Sequence, residues 1–149
     1  MALTPGFDAF AAGHAAGRNQ IVYTRLAADL DTPVSLMIKL TGAAENAFVL
    51  ESVTGGEVRG RYSIIGMKPD LIWRCRGETS AINRAARYDA DAFEDAAGNP
   101  LDVLRDLIAE SKIDLPEDLP QAAAGLFGYL GYDMIRLVEH LPDVNPDPL

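Results

Sequence analysis

Two runs of alternating apolar and polar residues flank a glycine pair near the middle of the chain. The first run, residues 48–53, reads FVLESV, and the second, residues 61–67, reads RYSIIGM, with Gly55 and Gly56 between them. A period of two in β-branched and aromatic residues is typical of β-strands. The pattern predicts a β-hairpin whose long connecting loop leaves the strand register open.

Three pairs of a capping residue followed by proline predict the starts of helices. Thr or Asn at the N-cap accepts a backbone hydrogen bond, and proline is tolerated in the first turn because its missing N–H would be unpaired there. The predicted helices begin at Thr4–Pro5 and end at Gly17, begin at Thr32–Pro33 and end at Gly42, and begin at Asn99–Pro100 and end near Lys112. In the third helix, Leu101, Leu104 and Ile108 form the predicted buried stripe, with Leu107 beside it.

Further alternating segments predict additional strands. Residues 21–26 and 71–76 alternate as strands do, with Leu71, Trp73 and Cys75 expected to face the core. The remaining elements are predicted as a mostly exposed connection over 77–98 with short strands around Ile82 and Tyr88, a surface linker marked by Pro116 and Pro120, a strand over 125–129 and a helix over 132–139.

The charge balance excludes nucleic acid as a partner. Twenty-two acidic residues against thirteen basic ones give a formal net charge of −9 and a pI near 4.5. Phosphate binding needs clustered Lys and Arg, and the same net charge disfavours an anionic membrane surface. No apolar run has the length of a membrane span, and the N-terminus lacks signal-peptide features. We therefore expect a cytoplasmic protein.

Motifs for catalysis or metal binding are absent from the sequence. Cys75 is the single cysteine, and His14 and His140 belong to no metal-ligand spacing. The stretches GEVRG and GLFGYLG lack the lysine and the helix placement of a phosphate-binding loop. The local chemistry favours a binding or partner domain over a self-contained catalyst, with no catalytic and no metal-ligating residue.

Glu51 is the unusual residue of the predicted hairpin, because it lies between Val49 and Val53 on an apolar face. A carboxylate in that position is costly to bury unless it is paired. One interpretation is an edge strand or an ion pair with Arg59 or Arg61. The other is a carboxylate that receives a cationic group of a ligand, with the hydroxyl of the adjacent serine beside it.

Four segments together resemble the N-terminal domain of the large subunit (component I) of anthranilate synthase, a chorismate-utilising enzyme. The sequence VLES resembles the family's LLES motif, with Val49 in place of the first leucine. The triplet LES alone would be weak, but four motifs in the family's order are specific, and the resemblance extends from about Phe7 to Leu149. The segments are DTPVSLMIKL at 31–40, FVLES at 48–52, GRYSIIGMKPDLIW at 60–73 and GLFGYLGYDMIRLVEHLP at 125–142.

The resemblance implies an α+β fold (an α/β sandwich) with a largely antiparallel sheet and flanking helices, which is half of a larger two-domain sandwich. Residues 1–149 would be the N-terminal regulatory domain. The family's C-terminal chorismate-binding domain, which holds its magnesium, is not in this sequence. We therefore expect no activity from this segment alone, and we expect exposed sheet surface to favour self-association.

The resemblance also implies a reaction and its partners. The family is a lyase that converts chorismate to anthranilate in tryptophan biosynthesis, with ammonia from a glutamine amidotransferase subunit. Its LLES motif contributes to an allosteric site for L-tryptophan, the feedback inhibitor. The residues that this resemblance assigns to the tryptophan site are Leu50, Glu51 and Ser52, with Arg61, Tyr62 and Ser63 on the facing strand as neighbours.

Two alternatives remain at this point. The large subunit of aminodeoxychorismate synthase shares this domain and an LES-like motif. A non-catalytic amino-acid-binding module could share the architecture without the reaction. The product formed by the complete protein would distinguish the first alternative from anthranilate synthase. The reading frame after Leu149 would distinguish the second alternative from a segment of an enzyme subunit.

Overall fold

The computed structural model describes residues 2–42, 44–51 and 62–142. Contacts between Cα atoms divide the chain into two compact units, each built from two separate segments. Unit 1 comprises Met1–Pro69 and Lys112–Gly125, and unit 2 comprises Asp70–Ser111 and Leu126–Leu149. The elements of the described residues are α1 (Phe7–Ala15), α2 (Pro33–Thr41), β1 (Phe48–Leu50), β2 (Ile64–Gly66), β3 (Ile72–Arg76), β4 (Thr79–Asn83), β5 (Glu94–Ala96), α3 (Pro100–Glu110) and the 3₁₀ helices Gln121–Ala123 and Tyr132–Leu137.

The predicted fold class is confirmed. The described residues form helices together with two antiparallel sheets, one of strands β1 and β2 and one in the order β3–β4–β5. Helix α2 packs against both strands of the first sheet, and α3 packs against β4 of the second. The described residues therefore form a small, mixed α+β fold, and the larger sandwich stays a prediction.

Helix α2 begins and ends where the sequence predicts. The backbone N–H of Ser35 donates to Thr32 Oγ1 (3.1 Å), and the Thr32 N–H donates to Ser35 Oγ (2.9 Å), which forms a capping box. Pro33 is the first helical residue, and Gly42 follows the last one with φ 59°. Local side-chain chemistry thus defines both ends of the helix, and Gly42 occupies a conformation that favours glycine.

The start of α1 differs from the prediction. The helix begins at Phe7 with Gly6 as N-cap, because the backbone of Thr4 is engaged elsewhere. Thr4 and Tyr23 exchange two backbone hydrogen bonds of 2.9 and 2.8 Å. This isolated bridge is the only strand-like pairing within 21–26, so the strand predicted there is wrong. The predicted stop is confirmed, since the helix ends at Ala15 and Gly17 has φ 67°.

Helix α3 is confirmed, but its buried stripe is displaced from the predicted one. The Leu101 N–H donates to Asn99 Oδ1 (2.8 Å), as the predicted cap requires. Leu107 is 1% exposed, whereas the neighbouring Ile108 is 50% exposed. The stripe therefore centres on Leu107, and placing Ile108 in it was wrong. Several rotations of the helix satisfy the same apolar spacing, and contact with β4 selects one of them.

The second sheet corrects the prediction of an exposed connection over 77–98. Strand β4 is the central strand, paired antiparallel with β3 (Trp73 opposite Ile82) and with β5. Asn83 is fully buried and Ser80 nearly so. The strand predicted around Ile82 is confirmed. The strand predicted around Tyr88 is wrong, since Tyr88 lies in an exposed turn.

Asn83 holds the turn that follows β4. Its Nδ2 donates to the carbonyl oxygen of Asp89 (2.7 Å), and its Oδ1 accepts from the Ala85 N–H (2.8 Å). Both ends of a buried amide are thereby satisfied, which removes most of the cost of burying it. The turn after β4 is therefore held by a polar side chain, that of Asn83.

The last described segment has less regular structure than predicted. Residues 125–129 pair with no described strand, so the predicted strand is wrong. The predicted helix over 132–139 is a 3₁₀ helix over Tyr132–Leu137. Tyr129 and Tyr132 are almost fully exposed, and the large apolar side chains around them are partly exposed. Without strand partners, the glycine-containing backbone of this segment has no pairing to hold it in a sheet.

Apolar burial is sparse across the described residues. Among them, Leu107 is the only large apolar side chain that is buried, with the smaller Pro100 buried in the same helix, while large apolar side chains of α2 and of the hairpin strands remain exposed. None of the described helices combines the length and apolar character needed to cross a bilayer.

Candidate functional site

The predicted site lies at the end of the hairpin that leads into its loop. The register pairs Phe48 with Gly66, Val49 with Ile65 and Leu50 with Ile64. Antiparallel pairing over these three positions confirms the predicted hairpin, although both strands are shorter than the sequence pattern suggests. Glu51 directly follows β1, and Ser63 directly precedes β2.

At its other end the hairpin is held by a close contact between an aromatic ring and a glycine. The Phe48 ring lies against Gly66, so close that a Cβ atom at Gly66 would overlap the ring atoms Cε1 and Cζ. Gly66 is not among the residues with positive φ. The ring, and not the backbone conformation, therefore restricts the space for a side chain at this position.

The described part of the predicted tryptophan site is open to solvent. Leu50 and Tyr62 are each 52% exposed, and Glu51 and Ser63 are also exposed. Leu50 ends β1 and pairs with Ile64 at the start of β2, and the other three residues lie just beyond these two strand ends. The other two predicted members, Ser52 and Arg61, lie outside the described residues.

Glu51 makes no ion pair with any described residue. The expected ion pair with Arg59 or Arg61 concerns residues outside the described ranges. The apolar face on which the sequence pattern places Glu51 is not covered in the structure, because Glu51 is exposed and Val49, two residues before it, is also exposed. The physical reason is that β1 pairs only with β2 among the described strands, so little covers this face of the strand.

A second polar cluster in unit 1 was not predicted. Asp118 accepts hydrogen bonds from the Tyr23 hydroxyl (2.8 and 3.0 Å to its two carboxylate oxygens) and from Arg25 Nη2 (3.0 Å). Arg25 Nη2 also donates to the carbonyl oxygen of Asp118 (2.7 Å). The hydrogen bond to Asp118 raises the pKa of Tyr23 above its ordinary value. These residues line a shallow cleft of about 540 Å³ together with Ala2, Thr4, Thr24 and Leu26.

This cluster fastens two distant parts of the chain. Asp118 lies 93 residues after Arg25 in the sequence, so no local pattern announces the contact. Because the carboxylate already has its donors within the protein, its chemistry is that of a structural tether. It does not bring together any of the residues predicted for the tryptophan site.

Potential metal ligands are dispersed in the part of the chain that the structure describes. No group of three or more His, Cys, Asp or Glu side chains converges there in a way that could hold a metal ion.

Curated relatives cover nearly the whole chain. Anthranilate synthase component 1 of Cereibacter sphaeroides is 68% identical over 143 residues, which are 96% of this chain and 29% of that protein. The protein of the same name from Synechocystis sp. is 38% identical over 149 residues, which are 98% of this chain and 28% of that protein. That from Acinetobacter calcoaceticus is 35% identical over 139 residues. No family model matches the chain, and no solved structure matches it.

These relatives indicate the class of protein, because each bears the name of one component of a biosynthetic enzyme. The chain belongs to the anthranilate synthase component 1 family and matches the N-terminal region of its members. It spans less than a third of the length of the relatives described above. The family resemblance deduced from the sequence motifs is thereby confirmed.

Proposed function

We propose that this chain is part of an anthranilate synthase component 1 subunit that acts in tryptophan biosynthesis. The observation that carries the proposal is the 68% identity to a protein of that name over 143 residues. In this proposal the subunit converts chorismate to anthranilate, a lyase reaction, with ammonia from a glutamine amidotransferase partner. The 149 residues supply no catalytic group, and magnesium and chorismate bind in a C-terminal chorismate domain.

The part assigned to this chain is regulation by L-tryptophan. Glu51 offers a carboxylate without an ion-pair partner among the described residues, and the ammonium of tryptophan fits it by a charge-assisted hydrogen bond. Leu50 and Tyr62 are half exposed and can contact the indole. Ser52, Arg61 and Ser63 complete the proposed set with polar groups for the ligand carboxylate.

Regulation follows if tryptophan binds one arrangement of the subunit more tightly than another. Inhibition requires a difference in affinity between the active and inactive states, and not mere binding. A coupling free energy of about 1–3 kcal/mol is typical of such linkage. Because tryptophan would contact a segment without catalytic residues, its effect would reach the reaction through the C-terminal domain.

The test is calorimetric titration of L-tryptophan into the full-length protein that carries this chain, with Glu51→Gln as the variant. Loss of a hydrogen bond to a charged group costs about 1.5–3 kcal/mol, so we expect the Kd to rise by about 10-fold to 100-fold. Glu45→Gln is the matched control, because Glu45 is exposed and lies in the same unit. Equal Kd values for wild type and Glu51→Gln would remove Glu51 from the site.

Activity assays on the same protein test the reaction itself. We expect anthranilate, and not aminodeoxychorismate, as the product from chorismate and ammonia. We also expect Ser52→Phe to leave synthesis active and insensitive to tryptophan. Formation of aminodeoxychorismate would overturn the assignment, and unchanged inhibition of the Ser52→Phe variant would remove this serine from the site.

A further inference from the structure

We propose that Gly66 is a positioning residue for the tryptophan site: by admitting the Phe48 ring across β2, it fixes the end of the hairpin that carries Glu51. This inference rests on the proposed function, because it concerns the regulation of that same site. Gly66 itself is not a ligand-binding residue, since the register places it at the opposite end of the hairpin from Glu51.

The contact is specific in its geometry. Phe48 and Gly66 are directly paired across the two strands, and the ring occupies the space that a side chain at Gly66 would take. An aromatic ring over a cross-strand glycine is a known device for fixing strand register. The strain-free φ of Gly66 leaves the ring as the reason for a residue without a side chain.

The hairpin has few other restraints among the described residues. Strands β1 and β2 share three residue pairs and no further described strand, and α2 supplies the packing. A slip of one residue would turn every side chain of a strand to the other face. Glu51 is three residues from Phe48, a distance of about 10 Å along a strand. A displaced ring therefore moves the carboxylate with the strand.

Comparison with other glycines shows which of them can serve as a control for the positioning role of Gly66. Gly13, in helix α1, is also tightly covered, but its neighbour is the Gln20 side chain, which lies after the end of that helix. Gly6 belongs to unit 1, as does Gly66. Gly6 has an ordinary φ of −64°, and nothing lies within 4 Å of a Cβ added there. Gly6→Ala is thus the matched control for Gly66→Ala.

The experiment measures inhibition of anthranilate formation by tryptophan in the full-length protein. A displacement of about 1 Å at a binding group can cost a factor of ten to a hundred, so we expect Gly66→Ala to raise the inhibition midpoint at least about tenfold. The uninhibited kcat and the KM for chorismate stay at wild-type values, and Gly6→Ala leaves all three unchanged. A purely structural role would lower activity with the folded fraction and leave the midpoint unchanged. That result would overturn the inference.

A second variant keeps the test decisive if Gly66→Ala folds poorly. Phe48→Leu removes the ring and keeps an apolar side chain, and we expect it to raise the midpoint by a smaller factor at unchanged kcat. In the double variant the shorter leucine makes room for the added methyl group, so its midpoint lies closer to wild type than that of Gly66→Ala. Such non-additivity is the signature of direct contact. Additive effects, or an unchanged midpoint in Phe48→Leu, would count against the contact.

The two proposals fail in different ways. If the wild-type protein is insensitive to tryptophan, the proposed regulatory function fails. If the wild type is inhibited and Glu51→Gln is not, while Gly66→Ala behaves as wild type, the regulatory site stands and only the positioning role of Gly66 is refuted.

Discussion

Truncation of Leu107 tests where the core of unit 2 lies. This side chain is 1% exposed and belongs to α3, the helix that packs against β4. Leu107→Ala removes three buried carbons, worth about 2.4 kcal/mol at ~0.8 kcal/mol each. The cavity left behind adds to this, and Leu→Ala changes in cores range from about 2.7 to 5.0 kcal/mol. Since a single helix and sheet can partly collapse around the gap, we expect a loss of about 3 kcal/mol.

Urea unfolding followed by tryptophan fluorescence measures this loss. The chain has a single tryptophan, Trp73, which lies in β3 of the same unit and reports on its unfolding. With a urea m-value of about 1.5 kcal/mol/M, the midpoint falls by about 2 M. Ile108→Ala is the matched control, because the adjacent side chain is 50% exposed. It should cost about 1 kcal/mol, from half the transfer term and no cavity.

The comparison between the two variants decides the matter. Equal losses for Leu107→Ala and Ile108→Ala, or a larger loss for Ile108→Ala, would refute the packing of α3 described above. The latter result would restore the stripe that the sequence alone suggests.

Two further predictions concern buried and exposed polar groups. Asn83→Ala removes two hydrogen bonds from the turn after β4 and leaves their backbone partners unpaired, so we expect a loss of about 1–3 kcal/mol in urea unfolding; a loss below about 0.5 kcal/mol would contradict it. Hydrogen bonds from Lys39 and then Ser35 hold the pKa of Asp31 below its ordinary 3.8. Its contribution to stability is therefore complete above about pH 4 and is lost as the pH falls through the folded-state pKa. We expect the unfolding midpoints of wild type and Lys39→Met to converge at low pH, and a constant difference would refute the linkage.

Local signals predicted the elements whose ends are defined by their own residues. The capping serine of α2 lies within three residues of Thr32, and the Asn99 cap lies next to the first turn of α3. Such short-range hydrogen bonds can be predicted from a sequence because no distant residue takes part in them. The hairpin could be predicted for the same reason, since its two strands are close together in the sequence.

Elements that depend on distant partners could not be predicted. Strand β4 reads TSAIN, a polar sequence, and its burial comes from strands on either side. Conversely, the segments 21–26 and 125–129 have strand-like sequences but lack a described partner with which to form a sheet. The pattern of side chains gives a segment a preference for the β-strand conformation, and pairing with another strand decides whether a strand forms.

The candidate site shows the same division. The motif at Leu50 and Glu51 pointed to the family, and the relatives confirm that assignment. The exposure of Glu51 could not be read from the motif, because it depends on what covers the sheet. The Phe48–Gly66 contact was likewise invisible in the sequence, where Gly66 reads as an ordinary interruption of a strand.

The tether between Arg25 and Asp118 has a consequence for synthesis on the ribosome. Unit 1 cannot finish assembling until residues 112–125 emerge, and by then the whole of Asp70–Ser111 has already been translated. Contacts of such long sequence separation form late and slow a chain's folding. During synthesis, residues 1–69 must therefore remain without their partner segment, residues 112–125, while residues 70–111 are translated. A cut at residue 111 would release a polypeptide in which neither unit holds all of its residues.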